Sequence, residues 1–224
     1  MNRHDFHLKF GSKKSIVLPV IHVLDHEQTY QNISIAIDGG CPGVFLINHD
    51  FEKEKLLPII NSIRAEFSDY WIGINFLAVT GEFTFPILGA LQSEGIRVDG
   101  YWADDACIDE HRAENDQIHA QSIDTVRKES GWQGLYIGGT AFKKQREVGP
   151  AEYAYSAQLA SNHMDIVVTG LVSVVMEDNE NTAKYREKYK CITAIQPNTK
   201  WQDQANAQYL ESFKTYNPES AFPK

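Results

Sequence analysis

The chain has 224 residues, of which 42% are hydrophobic, 11% aromatic and 23% charged, a balance that suits one ordinary globular domain and excludes a fibre or a disordered tail. Its 21 lysines and arginines face 30 aspartates and glutamates, a formal net charge of -9, so phosphate backbones and anionic lipid headgroups are repelled unless a local basic patch overrides the excess, and no large one is visible. Cys41, Cys107 and Cys191 are odd in number, dozens of residues apart and without a CxxC, which argues against a disulfide framework or a zinc knuckle and for a reducing compartment.

The opening MNRHDFHLKFGSKK lacks the apolar block and small-residue cleavage site of a secretory signal, so residues 1–14 are expected to be an N-terminal extension. The runs SIVLPVIHVL and DIVVTGLVSVVM fall short of the roughly 20 continuous apolar residues of a membrane span, and the expectation is a soluble, cytoplasmic protein with no membrane insertion. The first strand is read in SIVLPVIHV, residues 15–23. DHEQTYQNISIAIDGG then starts on the capping candidate Asp25 and stops on Gly39 and Gly40, the signals of one helix. GVFLINHD is a second strand, ending near Asp50. In EKEKLLPIINSIRAEFSD, Leu56, Ile59, Ile60, Ile63 and Phe67 recur at helical spacing, with Pro58 expected to bend the helix or delay its start.

YWIGINFLA reads as the third strand, FTFPILGALQSEG as a helix ending on Gly95, and RVDGYWADDA as the fourth strand. The polar stretch from Glu110 to Lys128 reads as a helix on the outside of the fold. GLYIGGTAF, AEYAYSAQLASNH and DIVVTGLVSV follow as strand, helix and strand, then NTAKYREKYK as a helix and CITAI as a short seventh strand. From Gln196 the chain is polar, no eighth strand is legible, and residues 211–224 are expected to be an irregular tail.

Near-continuously apolar strands joined by helices belong to parallel sheets covered on both sides, with right-handed crossovers. A closed barrel and an open doubly wound sheet share this signature. At least six consecutive units without a switch point favour an α/β fold of the TIM-type (β/α)8 kind, a single barrel domain over 1–224. The chain is short for such a barrel, so a trimmed or irregular last unit is expected.

In either architecture the ligand lies at the carboxyl ends of the strands. The polar residues closing each apolar run are His22 and Asp25, then Asn48, His49 and Asp50, then Asn75, then Asp104 and Asp105, then Lys143, Lys144 and Gln145, then Thr169. Asp25, Asp50 and Thr169 equally suit helix caps. An imidazole at a strand end, as at His22 and His49, can serve as general base or metal ligand near neutral pH, although a structural histidine is the simpler reading for His22. Together with Asp104 or Asp105 the two could form a His/His/carboxylate metal site, but no HxH or HExxH spacing supports it. Lys143 can hold an anion or, with a depressed pKa, form an imine, and pairing with Asp104 or Asp105 is an equal alternative. Beside Lys144, Arg146, Gly138 and Gly139, phosphate binding is its more economical role. Tyr101 and Trp102 could stack on a base or sugar, though such rings more often belong to a core.

The ordered segments PVIHVLDHEQTYQNISIAIDGGCPGVFLINHD, WIGINFLA, VDGYWADDA, GLYIGGTAFKKQ and DIVVTG resemble the BtpA family of (β/α)-barrel proteins, named for a role in photosystem I biogenesis, and the phosphoribosyltransferase-like barrels. The likeness covers roughly residues 15–170. It implies a TIM-type barrel with a ligand site at the strand ends and points to His22, Asn48, His49, Asn75, Asp104, Asp105, Lys143 and Thr169. Such barrels follow the sixth strand with a Ser/Gly/Thr-rich turn and the seventh with a Gly-containing phosphate loop, whereas this chain reads TGLVSVVMEDNENT and then AIQPNTKWQDQANAQYL, and the glycines for close approach to phosphate are missing from the second place.

The leading expectation is an enzyme acting on a small, anionic, phosphorylated or nucleoside-like metabolite, by glycosidic-bond transfer or cleavage. His49 or Asp105, with Asp104 beside it, would move the proton, while Lys143, Gly138, Gly139, His22, Asn48, Asn75 and Thr169 bind the ligand. No cofactor and no nucleic acid are expected, and a homo-oligomer is compatible with the sequence. The alternatives are a non-catalytic barrel serving as an assembly or regulatory protein, and a metal-dependent hydrolase built on His22, His49 and Asp104.

Overall fold

The computed structural model of the chain describes residues 3–10, 17–48, 51–140, 148 and 150–168. A helix, α1 (Arg3–Phe10), precedes an alternating series: β1 (Val20–Val23), α2 (His26–Asp38), β2 (Gly43–Asn48), α3 (Lys53–Glu66), β3 (Trp71–Phe76), α4 (Gly81–Ser93), β4 (Gly100–Ala103), α5 (Ile118–Ser130), β5 (Leu135–Gly139), α6 (Tyr153–Ala160) and β6 (Ile166–Val168). The strands form one sheet of six in the order β1-β2-β3-β4-β5-β6, every neighbouring pair parallel. No helix among the described residues is long and apolar enough to cross a membrane.

The local signals act where the chain places them. Asp25 caps α2, its Oδ1 accepting the Gln28 N–H at 2.8 Å, and the helix ends at Gly39 with Gly40 in the left-handed region at φ +77°. Pro58 lies inside α3, which runs on to Glu66 and so is neither ended nor delayed there. The first strand is shorter than its apolar run: Val20 is its first residue, and Pro19, which has no N–H, offers only its carbonyl, accepting from Phe45 N at 2.8 Å. The polar stretch after Glu110 makes one 3-10 turn over Glu114–Asp116 and becomes α-helical only at Ile118, because Gln117 organises the loop before it. The Gln117 amide donates to the carbonyls of Asp109, Arg112 and Ala113 and accepts from Asp109 N. Nor is α5 wholly external, since Ala120 and Ile123 are buried. The seventh strand, the helix before it and the tail lie outside the described residues.

Alternate strand residues serve two different cores. Ile21, Val23, Val44, Leu46, Ile72, Ile74, Phe76, Tyr101 and Tyr136 face the helices in one large cluster. Phe45, Trp71, Leu135 and Ile137 face the other way, joined by Val20, Trp102, Ile166 and Val168 and by Phe6 and Phe10 of α1. Phe10 meets the Trp71 ring at 5.9 Å, and Trp71 begins β3, so α1 closes the end of the sheet where the strands start.

The second face is concave. Phe45 on β2 reaches Trp102 on β4 at 5.8 Å, across β3, although neighbouring strands stand about 4.8 Å apart. Glycine makes this possible: a Cβ on Gly73 would lie 2.3 Å from the Phe45 ring, and one on Gly100 would lie 2.6 Å from the Trp71 ring. The two rings sit in notches that only hydrogen can leave open.

A buried ion network holds the strand starts. Asp99, just before β4, accepts Arg64 Nη2 at 2.7 Å and Ile72 N at 2.9 Å, while Arg97 Nε approaches its other oxygen at 3.0 Å. Arg64 also donates to the carbonyls of Arg97, Phe67 and Tyr70, which together meet nearly all its donors. Burial lowers the Arg64 pKa, opposed by the Asp99 charge. The same device recurs two repeats later, where Asp165 before β6 accepts Arg127 Nη2 at 2.6 Å and Tyr136 N at 2.8 Å.

Two outcomes follow. Asp99→Ala strands Arg64 in the interior and lowers urea-derived stability by about 3–5 kcal/mol, while Asp165→Ala, at a more exposed pair, costs less. Gly73→Ala costs about 3 kcal/mol, the upper part of the overpacking range, and adding Phe45→Leu restores part of it; no recovery in the double variant would refute the notch.

Candidate functional site

Because the strands are parallel, all their carboxyl ends open on one side, opposite α1. The pairings set His22 beside Ile47, Ile47 beside Asn75, Trp102 beside Ile137 and Ile137 beside Ile166. Gly73 pairs with Gly100 and Ile74 with Tyr101, so the next step along both strands brings Asn75 level with Trp102. These residues alternate with those facing the helices and form one ring on the concave face, a step nearer the mouth than the Phe45–Trp71 contact. In that ring His22, Asn75 and Trp102 are the residues with side-chain nitrogen.

Asn75 is fully buried, and its Nδ2 donates to Asp104 Oδ1 at 2.9 Å. Asp104, half-buried just beyond β4, therefore leans over β3, and its Oδ2 lies 3.4 Å from Ala78 N in the loop after that strand. Ala78 holds φ +59°, a left-handed conformation that a residue with a Cβ adopts at a cost. Asn48 secures the same loop from the other side: its Oδ1 accepts Leu77 N at 3.1 Å and its Nδ2 donates to Phe51 O at 2.8 Å. Both halves of the Asn48 amide are thus engaged with backbone, and its place is to shape the mouth.

Asp105 stands apart from this pair. Its Oδ1 accepts the Cys107 N–H at 2.7 Å and closes a turn in which Cys107 has φ +58°. The two glycines are packed by protein: a Cβ on Gly138 would lie 2.5 Å from Met164 Sδ, and one on Gly139 would lie 2.0 Å from the Asp104 carbonyl oxygen. Gly139 lets the chain carrying Asp104 cross close over β5, where its carbonyl accepts Ala106 N at 2.9 Å. His49, Lys143 and Thr169 lie outside the described residues, as do Asp50 and Lys144. Among the described residues no group of three His, Cys, Asp or Glu side chains could hold a metal ion.

One group was not foreseen. Glu110, Thr140 and Ser156 are buried together where β5 ends: Ser156 Oγ hydrogen-bonds Glu110 Oε1 and lies 2.5 Å from Thr140 Oγ1, itself 3.4 Å from Glu110 Oε1. A carboxylate accepting from hydroxyls ties the loop after β4 to α6 and to the end of β5. The three are far apart in sequence and of commonplace type, so only Thr140, directly after the paired glycines, carries a local hint.

The phenols behind the ring are structural. Tyr101 donates to Val79 O at 2.7 Å, accepts from Thr84 Oγ1 at 3.0 Å and stacks on Tyr136 at 5.9 Å. Burial pushes the pKa of both phenols well above the ordinary tyrosine range.

No protein-family model matches the chain, and no curated protein matches it in sequence. Solved structures do. The tryptophan synthase alpha chain from Legionella pneumophila subsp. pneumophila is 15% identical, with a TM-score of 0.51 over 85% of this chain and 73% of its own. Tryptophan synthase subunit alpha from Legionella pneumophila str. Paris is 12% identical, with a TM-score of 0.50 over 96% of this chain and 97% of its own. The fold is an α/β barrel of the TIM type. A probable mandelate racemase from Alicyclobacillus acidocaldarius is 12% identical over 65% of this chain, with a TM-score of 0.40, and the chain spans 33% of its length.

Gly139→Ala is expected to push the Asp104 backbone outward and lower the Tm by several degrees with or without phosphate present; unchanged stability would overturn the packing role of this glycine. The phenols make stability fall as pH rises past about 10: the unfolded chain releases their protons there and the folded one keeps them. A pH titration of unfolding, read with tyrosinate absorbance, checks this, and the Tyr101→Phe variant should soften the fall.

Proposed function

We infer that the chain is a barrel enzyme, BtpA-like in type, that binds a phosphorylated or nucleoside-like small metabolite at the carboxyl ends of its strands and transfers or cleaves a glycosidic bond. The observation that carries this reading is the Asn75–Asp104 pair: a fully buried amide on β3 aims a carboxylate from β4 over the concave ring. Enzymes that break glycosidic bonds use such a carboxylate to move a proton or to face the positive charge that develops on the sugar. Asp104 takes that role here in preference to Asp105, whose carboxylate closes the Cys107 turn. His22 shares the ring with Asn75 through Ile47 and is the second candidate for proton transfer. Lys143 and Thr169 are proposed from sequence to hold the anionic end and His49 to assist, and no cofactor enters this reading.

A second reading, a barrel that acts by assembly, with another copy or a regulatory partner, is favoured by one observation. Leu24, Leu77, Phe83, Ile118 and Tyr155 are exposed, and all five lie in the segments that follow strands, on the mouth side.

Thermal-shift titration separates the two readings. Ribose phosphates, nucleotides and phosphoribosyl diphosphate are expected to raise the Tm of the wild-type chain, Lys143→Ala to abolish the shift, and Asp104→Asn to keep binding while removing turnover. Silence across the panel from a folded protein refutes the enzyme reading. If Phe83→Glu lowers the solution molar mass and Asp104→Asn leaves function intact in complementation, the assembly reading stands instead.

A further inference from the structure

The ring at the barrel mouth carries an unmet hydrogen-bonding demand whose sign restricts what can enter. Asn75 spends its Nδ2 on Asp104, and that bond fixes which way the amide faces. Its Oδ1 is buried and has no hydrogen-bond partner among the described residues, in a side chain with no exposed surface. Level with it, the Trp102 indole N–H is also buried and without an acceptor among the described residues. A buried polar atom left unmet costs about 1–3 kcal/mol, so a protein keeps one where something else completes it.

The indole alone would mean little. Trp71 also has an unmet N–H, one step deeper, where Phe10 and Phe45 close over its ring. The upper ring differs in offering an acceptor, a donor and the adjacent Asp104 carboxylate together. Its charge is equally informative. The described strand residues on the concave face include His22 but no lysine or arginine. An anion moving inward would find no lysine or arginine on these strands to receive it.

Resting on the enzyme reading above, we propose that the ligand enters with a neutral hydroxyl-bearing end, a pentose ring or its equivalent, donating to Asn75 Oδ1 and accepting from Trp102 Nε1, and keeps any phosphate at the rim. A hydroxyl fits because it donates and accepts at once, and an aliphatic ring face complements the indole. Substrate polarity is thereby set by the ring: sugar inward, anion outward.

The test follows the indole signal of Trp102 by nuclear magnetic resonance in the isotope-labelled full chain, assigned with Trp102→Phe, during titration with ribose, ribose phosphate and inorganic phosphate. Both sugars should move the signal, the phosphorylated one at lower concentration, and inorganic phosphate should leave it in place. Asn75→Leu should weaken the response to ribose at least tenfold while leaving the Tm equal or higher, since it removes an unmet oxygen and the half-exposed Asp104 can turn to water. If inorganic phosphate moves the indole and ribose does not, the proposed polarity is overturned and the phosphorylated-ligand reading survives. If ribose phosphate raises the Tm with the indole unmoved, the ligand binds elsewhere and the inference again falls alone. A loss of several degrees in Asn75→Leu would assign Asn75 to the architecture and overturn its ligand role. Silence of both the indole and the thermal panel would remove inference and enzyme reading together.

Discussion

Two aromatic rings seated in two glycine notches bend this sheet, and the convergence of the strand ends depends on that bend. Phe45 and Trp71 are large, and Gly73 and Gly100 on the neighbouring strands present nothing to them, so rings and notches interlock across three strands. A sheet with side chains at those glycines would have to flatten or splay. In a flat sheet β1 and β4 would stand three strand spacings apart, and Asn75 could not serve with its neighbours as the lining of a cavity. Curvature turns a row of strand ends into a ring.

The two ends of that ring are built for different work. At the strand starts the charged residues satisfy one another: Asp99 binds Arg64 and a strand N–H, Asp165 binds Arg127 and a strand N–H, and α1 covers the apolar floor. The repetition of this device, helix arginine to pre-strand aspartate to backbone of the preceding strand, ties β3 to β4 and β5 to β6 in the same way. At the strand finishes the satisfaction is incomplete. Ala78 and Cys107 hold left-handed backbone, Asn48 and Asp104 restrain the loop after β3, and Asn75 Oδ1 has no partner among the described residues. Unmet polarity also occurs at Trp71 Nε1 and the Tyr136 hydroxyl, but only at the strand finishes does it coincide with left-handed backbone and a carboxylate, which is the end of such a barrel where ligands bind.

The concave face also explains why an acidic protein can be proposed to bind an anionic metabolite. The described ring is neutral or negative, so it suits the uncharged part of a ligand, and the notion of an anionic end rests on Lys143, Lys144 and Arg146 in the sequence alone.

How much of this was legible beforehand differs by kind of signal. The parallel α/β class was legible because buried strands read as continuous apolar runs and because Asp25, Gly40 and Gly95 punctuate the helices through backbone chemistry that acts within a few residues. That polar residues would gather at strand ends was also legible, since strand direction is shared in a parallel sheet. What a given end residue does was not: Asn48 and Asp105 turned to backbone, Asp104 turned to Asn75, and Gly138 and Gly139 proved to be packing positions. Arg64 with Asp99, and Glu110 with Ser156, are joined across 35 and 46 residues. Sequence alone determined the alternation of elements and the list of polar groups near the mouth, because hydrophobic periodicity and capping are local. Only the tertiary structure decided which of those groups meet, because hydrogen bonds between distant strands depend on sheet curvature and register, and these come from the packing of rings against glycines on other strands.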